Sequence, residues 1–262
     1  MKMTQNAPPH ESRKNRTVVC SENHILMKLS FVIFLLVWQF LLATFLTLGG
    51  IENEKLGTMA KMLWGVNLLW IGVFGIISLY LRDHVREIGQ RLGGKRLTIF
   101  FTSVTALALI EEAITTAMTN CAPLFGAEIG EVYITASANY LDVVFYHSVV
   151  VFLPQFALLG WLLRKYAISP FAVFVCYGLT GFVNEALFAG PNPLLLPQWI
   201  LIYGLLVFLP AHLFSTDKDR KPMRWYFFPA VVLLPILASV PMVGLLLFVI
   251  APGHPSIHFP PM

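Results

Sequence analysis

The sequence predicts an all-α, polytopic membrane helix bundle of about seven transmembrane helices. Three observations lead there. Of 262 residues, 57% are hydrophobic and only 12% charged, about half the charged share of a soluble domain. Apolar runs of roughly 20 residues, the length that crosses a hydrocarbon core, alternate with short polar stretches. The lysines and arginines collect in every second polar stretch.

The spans read Ser30–Leu48, Met59–Leu81, Leu97–Met118, Leu141–Leu163, Ile168–Phe188, Pro197–Phe214 and Trp225–Ile250. Residues 1–27 form a polar leader, expected to be disordered and cytoplasmic. Residues 28–250 form one transmembrane domain, and 251–262 an external tail. The polar stretch before Ser30 is too long and charged for a cleavable signal, so the first span is expected to stay as an anchor. Cys20, Cys121 and Cys176 lie on separate segments and suit neither a zinc site nor a disulfide framework.

Orientation follows from charge. All but Lys55 and Lys61 of the 18 basic residues fall before the first span, Lys28 included, and in the second, fourth and sixth loops. The positive-inside rule then expects a cytoplasmic N-terminus and an external C-terminus. The net charge of +4 reflects that topology, with an added attraction to anionic lipid heads. The basic residues are split among loops without interleaved stacking aromatics, which argues against nucleic acid as a partner. The expected surroundings are the lipid bilayer of the cell membrane.

Span 1 is apolar apart from Gln39 and threonines and is expected at the periphery. Span 2 carries Asn67, and its Arg82–Glu87 exit continues as a polar helix to Gly93-Gly94. Span 3 carries adjacent carboxylates, Glu111 and Glu112, in a run that crosses the bilayer. A carboxylate at a helix centre costs roughly 2.5 to 3.5 kcal/mol on insertion scales and marks a functional site by default. The following stretch, Thr119 to Tyr140, is long and has no lysine or arginine. Loops of that length are uncommon unless functional, so it is expected to cover a site. Span 4 opens with Asp142 and His147 and holds Pro154 and Gln155. Span 5 ends with Thr180, Asn184 and Glu185. Span 6 holds Tyr203, Pro210 and His212, the last expected to snorkel at the inner end. Span 7 has three prolines and no ionisable residue.

Helix rise turns these positions into depths. Glu111 and Glu112 lie about 21 to 23 Å up a ~30 Å core, His147 about 9 Å below its outer boundary, and Asn184 and Glu185 about 24 to 26 Å up. They are therefore expected to share one outer-leaflet layer, with spans 3, 4 and 5 packed as neighbours. Thr115 lies one turn outward of Glu111, and Thr180 one turn before Asn184. A span Asn or Thr is often helix–helix glue. An adjacent Glu pair is harder to explain that way, because helix neighbours point about 100° apart and only a broad polar interior accepts both. Such a pair suits a proton carrier or a general acid/base.

The order Glu111-Glu112, then His147, then Asn184 on successive spans resembles the CAAX-processing and bacteriocin-processing intramembrane glutamate proteases. Their pattern is EExxxR, FxxxH and HxxxN. Here Thr116 stands for the arginine, Val143 for the phenylalanine and Thr180 for the second histidine. The resemblance runs from Leu107 to Asn184. It implies that Glu111 or Glu112 activates a water, that His147 assists, and that Asn184 stabilises an oxyanion. The reaction would hydrolyse a membrane-borne peptide or lipid-linked bond. Asp142, Glu185, Thr115 and Thr180 would bind substrate or relay protons.

Transport is the competing class, with Glu111, Glu112, Asp142, His147 and Glu185 as a relay. The inner half looks nearly dry, with Gln155, His212, Ser103 and Thr105 as its polar groups, which favours a one-sided site. A membrane-embedded binding or receptor role fits the same one-sidedness. His254 and His258 could join a metal site, but Pro255 between them opposes a helix that would align them. The lack of a lysine in span 7 argues against retinal. The sequence specifies no cofactor and no oligomeric state.

Overall fold

The chain forms a seven-helix membrane bundle in a computed structural model, and helices suited to a bilayer span Ile25–Gly49, Glu54–Arg91, Gly93–Asn120, Ser148–Lys165, Pro170–Leu187, Pro193–Phe214 and Trp225–Ile250. The structure describes the backbone of residues 10–217 and 219–250, and the side chains from 25 onward except 188 and 189. The tail with His254 and His258 and the first nine residues of the leader lie outside the described residues.

Helix α1 runs His10–Gly49 and so begins inside the polar leader. The second span is one rod of α2 (Glu54–Val66), a π-helical stretch Asn67–Phe74 and α3 (Gly75–Arg91). Asn53 caps its start, accepting from the amides of Lys55 and Leu56. Then come α4 (Arg96–Asn120), the short α5 (Ala122–Phe125) and α6 (Tyr140–Tyr146), and α7 (Ser148–Lys165). After them follow α8 (Pro170–Ala189), α9 (Leu196–Ala211) and α10 (Phe228–Leu245).

The expected span Leu141–Leu163 is corrected on one point. It breaks at His147, where φ is −138° and ψ −101°, so α6 is a separate helix and the crossing segment starts at Ser148. Non-helical backbone at membrane depth is tolerated where protein surrounds it. Leu141 and Phe145 on α6 are exposed while Val143 and Val144 are buried, so α6 presents one face to the bundle.

Neighbour order also departs from the expected one. Helix α4 does pack on α7, but α8 packs chiefly on α9 and α10, and α10 also lies against α7. Glycines allow the closest of these approaches. A Cβ at Gly178 would stand 2.6 Å from the Ile200 Cα, and one at Gly204 2.7 Å from the Phe174 carbonyl oxygen. Helix α1 packs on α2 and α9 and exposes Phe34, Phe40, Leu41 and Phe45, as expected of a peripheral span. Its Gln39 donates to Asn67 at 2.9 Å.

One end of the bundle is basic and tightly tied. Arg96 bonds the Gly89 carbonyl and pairs with Asp217 at 2.8 Å. Arg220 donates to the carbonyls of Leu163 and Tyr166, beside a two-residue parallel pairing of β1 (Tyr166–Ala167) with β2 (Lys221–Pro222). At the opposite end the Thr119–Tyr140 loop is docked. Thr58 and Lys61 both donate to the Phe125 carbonyl, Lys55 pairs with Glu131 at 2.8 Å, and Asn120 donates to the Ala138 carbonyl.

Candidate functional site

Glu111 and Glu112 both sit in the protein interior at 6% exposure, so α4 turns neither of them to lipid. Four elements surround α4 here: α7 and α9 along the crossing, α6 at its end, and α2 behind. That enclosure answers how neighbours about 100° apart can both be buried.

The two carboxyls have different company. Glu112 is contacted by Thr115 on its own helix, whose hydroxyl lies 3.3 Å from Glu112 Oε2. Its carboxyl also interacts with the hydroxyls of Ser148 and Thr135. Ser148 is in turn 2.7 Å from Nδ1 of His147. This gives an arrangement in which one hydroxyl, that of Ser148, stands beside both the Glu112 carboxyl and the His147 ring. The helix break creates it, because Ser148 opens α7 while His147 lies outside both helices. Thr135 comes from the Thr119–Tyr140 loop, which therefore does reach the carboxylate pair. Tyr140, at the end of that loop, donates to the Leu109 carbonyl at 3.0 Å. Burial, then the nearby Glu112, holds the Tyr140 phenol above the usual tyrosine range.

Glu111 faces a third carboxyl, Glu185 of α8, which also acts on Glu112. Glu185 Oε1 accepts a short hydrogen bond from the Tyr203 hydroxyl of α9. Tyr203 stands edge-on to Phe152, at 5.6 Å between ring centroids. Gly181 makes room for it, since a Cβ there would sit 2.0 Å from the Tyr203 ring. Among the described residues the ion pairs join Lys55 to Glu131, Arg82 and Arg86 to Asp83, and Arg96 to Asp217. None reaches the three interior carboxyls. Uncompensated charges this close would repel strongly in a low dielectric.

The remaining expected residues have other partners. Asn184 Nδ2 lies 3.4 Å from Gln155 Oε1, which also accepts from the Tyr177 hydroxyl at 3.1 Å. Gln155 is fully buried and donates to Ser239 on α10. Asn184 thus belongs to a polar knot tying α7, α8 and α10, while its neighbour Glu185 turns toward α9. Thr180 donates to the carbonyls of Cys176 and Val232 and fastens α8 to α10. Asp142 lies in the first turn of α6, half-buried. His212, expected to snorkel, has both ring nitrogens buried without a hydrogen-bond partner among the described residues.

Sequence reasoning left out Ser148, Thr135 and Tyr203. Ser148 was signalled by its place beside His147. Thr135 and Tyr203 carry no local signal, because only the loop's docking and the α4–α9 contact bring them in. Among the described residues no group of three or more His, Cys, Asp or Glu side chains is arranged to hold a metal ion.

No protein-family model, curated protein or solved structure matches the chain.

Proposed function

We propose that the chain is an intramembrane hydrolase that cleaves a peptide or lipid-linked bond at the buried carboxylate pair. The Glu112–Ser148–His147 arrangement carries the reading. A carboxylate and an imidazole on either side of one hydroxyl form an acid–base system across a helix break, in a site walled from bulk water. In this reading Glu112 takes a proton from the attacking water as its oxygen bonds to the substrate carbonyl carbon. His147 then supplies a proton to the departing group as that bond breaks. Ser148 links the two and holds the imidazole in place. The glutamate-protease resemblance points to the same reaction class.

The fully buried Gln155 knot supports one-sided access. Its polar groups are satisfied by one another and so are not free to line a route past α7, α8 and α10.

A second reading, proton-coupled exchange, draws on the third carboxyl. Glu111, Glu112 and Glu185 with Tyr203 form a proton-sharing group without a basic counter-ion. One paired experiment separates the two. Membranes of cells expressing the wild type or Glu112→Gln are compared for peptide and lipid cleavage products. In parallel, the purified proteins in liposomes are tested for proton flux. Products that vanish with Glu112→Gln, without flux, support the hydrolase. Glu112-dependent flux without products supports exchange. Glu112→Gln behaving as wild type in both assays would sink both readings.

A further inference from the structure

Seven buried side-chain polar atoms among the described residues have no hydrogen-bond partner, and four of them fall within five residues: both ring nitrogens of His212, Ser215 Oγ and Thr216 Oγ1. Buried polar groups are nearly always paired, so such a concentration asks for a missing partner. The cluster lies at the basic end, where the chain leaves α9 through a tight turn. Helix α3 packs directly on this turn, with Gly89 so close to Leu213 that a Cβ would stand 2.3 Å from its carbonyl oxygen.

Beside this contact α3 carries an exposed stripe of donors. Arg82, Arg86 and Gln90 recur every four residues and so share one helix face. Arg86 and Arg82 are the basic groups that act on His212, together with Asp83. Their existing partner is weakly held: Asp83 lies 3.6 Å from Arg82 and 3.9 Å from Arg86, and both guanidinium side chains are half exposed. Gln90, Arg96, Ser215, Thr216 and Asp217 line a surface groove of about 510 Å³. The one carboxylate in that groove is already engaged, since Asp217 pairs with Arg96 and accepts from the Asp219 amide.

We propose that this groove binds a phosphate group, supplied by an anionic lipid headgroup or by a soluble phosphate compound. The chemistry is that of a tetrahedral anion with several acceptor oxygens. The Gln90 amide, the Arg96 guanidinium and the Ser215 and Thr216 hydroxyls line the groove, and the exposed Arg82 and Arg86 forks stand on the same α3 face as Gln90, two turns and one turn away. This site lies at the opposite end of the bundle from the Thr119–Tyr140 loop and does not depend on the hydrolase reading.

The test uses the full-length protein in detergent micelles. Thermal stability is measured with added phosphatidylglycerol, with phosphatidylcholine, and with inorganic phosphate, and lipid retained through purification is counted by native mass spectrometry. The variants are Arg82→Gln/Arg86→Gln, and Arg164→Gln/Lys165→Gln as a control at the same end of the bundle. Both arginines of the first pair are half exposed, so their loss leaves the core intact. Thr216→Val probes the turn side. Binding to the wild type is expected to weaken roughly tenfold or more in the Arg82/Arg86 variant, and to hold in the control. Stabilisation by phosphatidylglycerol alone assigns the group to a lipid headgroup. Stabilisation by inorganic phosphate as well assigns it to phosphate from either source. Equal weakening in the control pair, or no response of the wild type to either probe, overturns the site.

Discussion

The Tyr203 hydroxyl donates a hydrogen bond to Oε1 of Glu185, joining α9 to α8 at the edge of the carboxylate group. Phe in place of Tyr203 keeps the ring that Phe152 and Gly181 surround and removes only the donor. Tyr203→Phe is expected to fold with near-unchanged thermal stability and to lose activity about tenfold, below the 10²–10⁴-fold that a direct general acid or base supplies. The carboxyl-stretch infrared band assigned by Glu185→Gln should also shift. An unshifted band would show that the two residues do not act together.

Ser148→Ala removes the hydroxyl beside Glu112 and His147 without touching either residue. The expected loss is roughly 10- to 100-fold in the rate of product formation, since His147 keeps its place in the chain but loses the hydroxyl beside it. Thr115→Val, which removes a second hydroxyl from Glu112 but not the one beside His147, should cost less. If the two variants lose activity equally, the Ser148 hydroxyl has no special role.

Gln155 anchors three helices, so its loss is expected to cost stability before activity. Gln155→Ala leaves Tyr177, Asn184 and Ser239 without their shared partner, and each buried group left unpaired costs roughly 1 to 3 kcal/mol. Denaturation in mixed micelles should therefore show a lower midpoint than Asn184→Ala, which removes a single 3.4 Å contact. Equal midpoints would mean that water replaces the amide without cost.

Gly178→Ala places a methyl group 2.6 Å from the Ile200 Cα. Backbone cannot give way as a side chain can, so α8 and α9 must separate. Overpacking of this kind costs about 1 to 3 kcal/mol. Gly244→Ala, where nothing lies within 4 Å, is the matched control and should be neutral. Thermal denaturation of both variants checks the contrast.

The docked loop supplies a pH test outside the membrane. Lys55 first, and the Glu128 amide second, hold the Glu131 carboxyl below its ordinary value of 4.5. A depressed folded value means that the contact helps fully above about pH 4.5 and is lost as pH falls through the folded value. Protease cleavage within residues 119–140 should stay slow from pH 7 to about 5 and rise below it. Lys55→Gln should remove that dependence. Loosening already complete at pH 6 would rule the contact out as its cause.

Composition, hydrophobic runs and the placement of helix ends were enough to specify seven membrane helices, because a span must satisfy its own backbone within one segment and therefore writes itself locally. The carboxylate pair was legible for the same reason: a charge in an apolar run stands out without any partner being known. The partners were not legible. Rise along a helix gives depth, but not which helices are neighbours, and α10 lying against both α7 and α8 draws Asn184 to Gln155 while Glu185 turns to Tyr203 on α9. The break at His147 that aligns Ser148 with Glu112, and the loop fold that brings Thr135 to the same carboxyl, depend on contacts between segments far apart in sequence. Side-chain pairing inside the bundle is a property of packing, and packing was decided by the glycine contacts and polar knots that appear only when the helices are assembled.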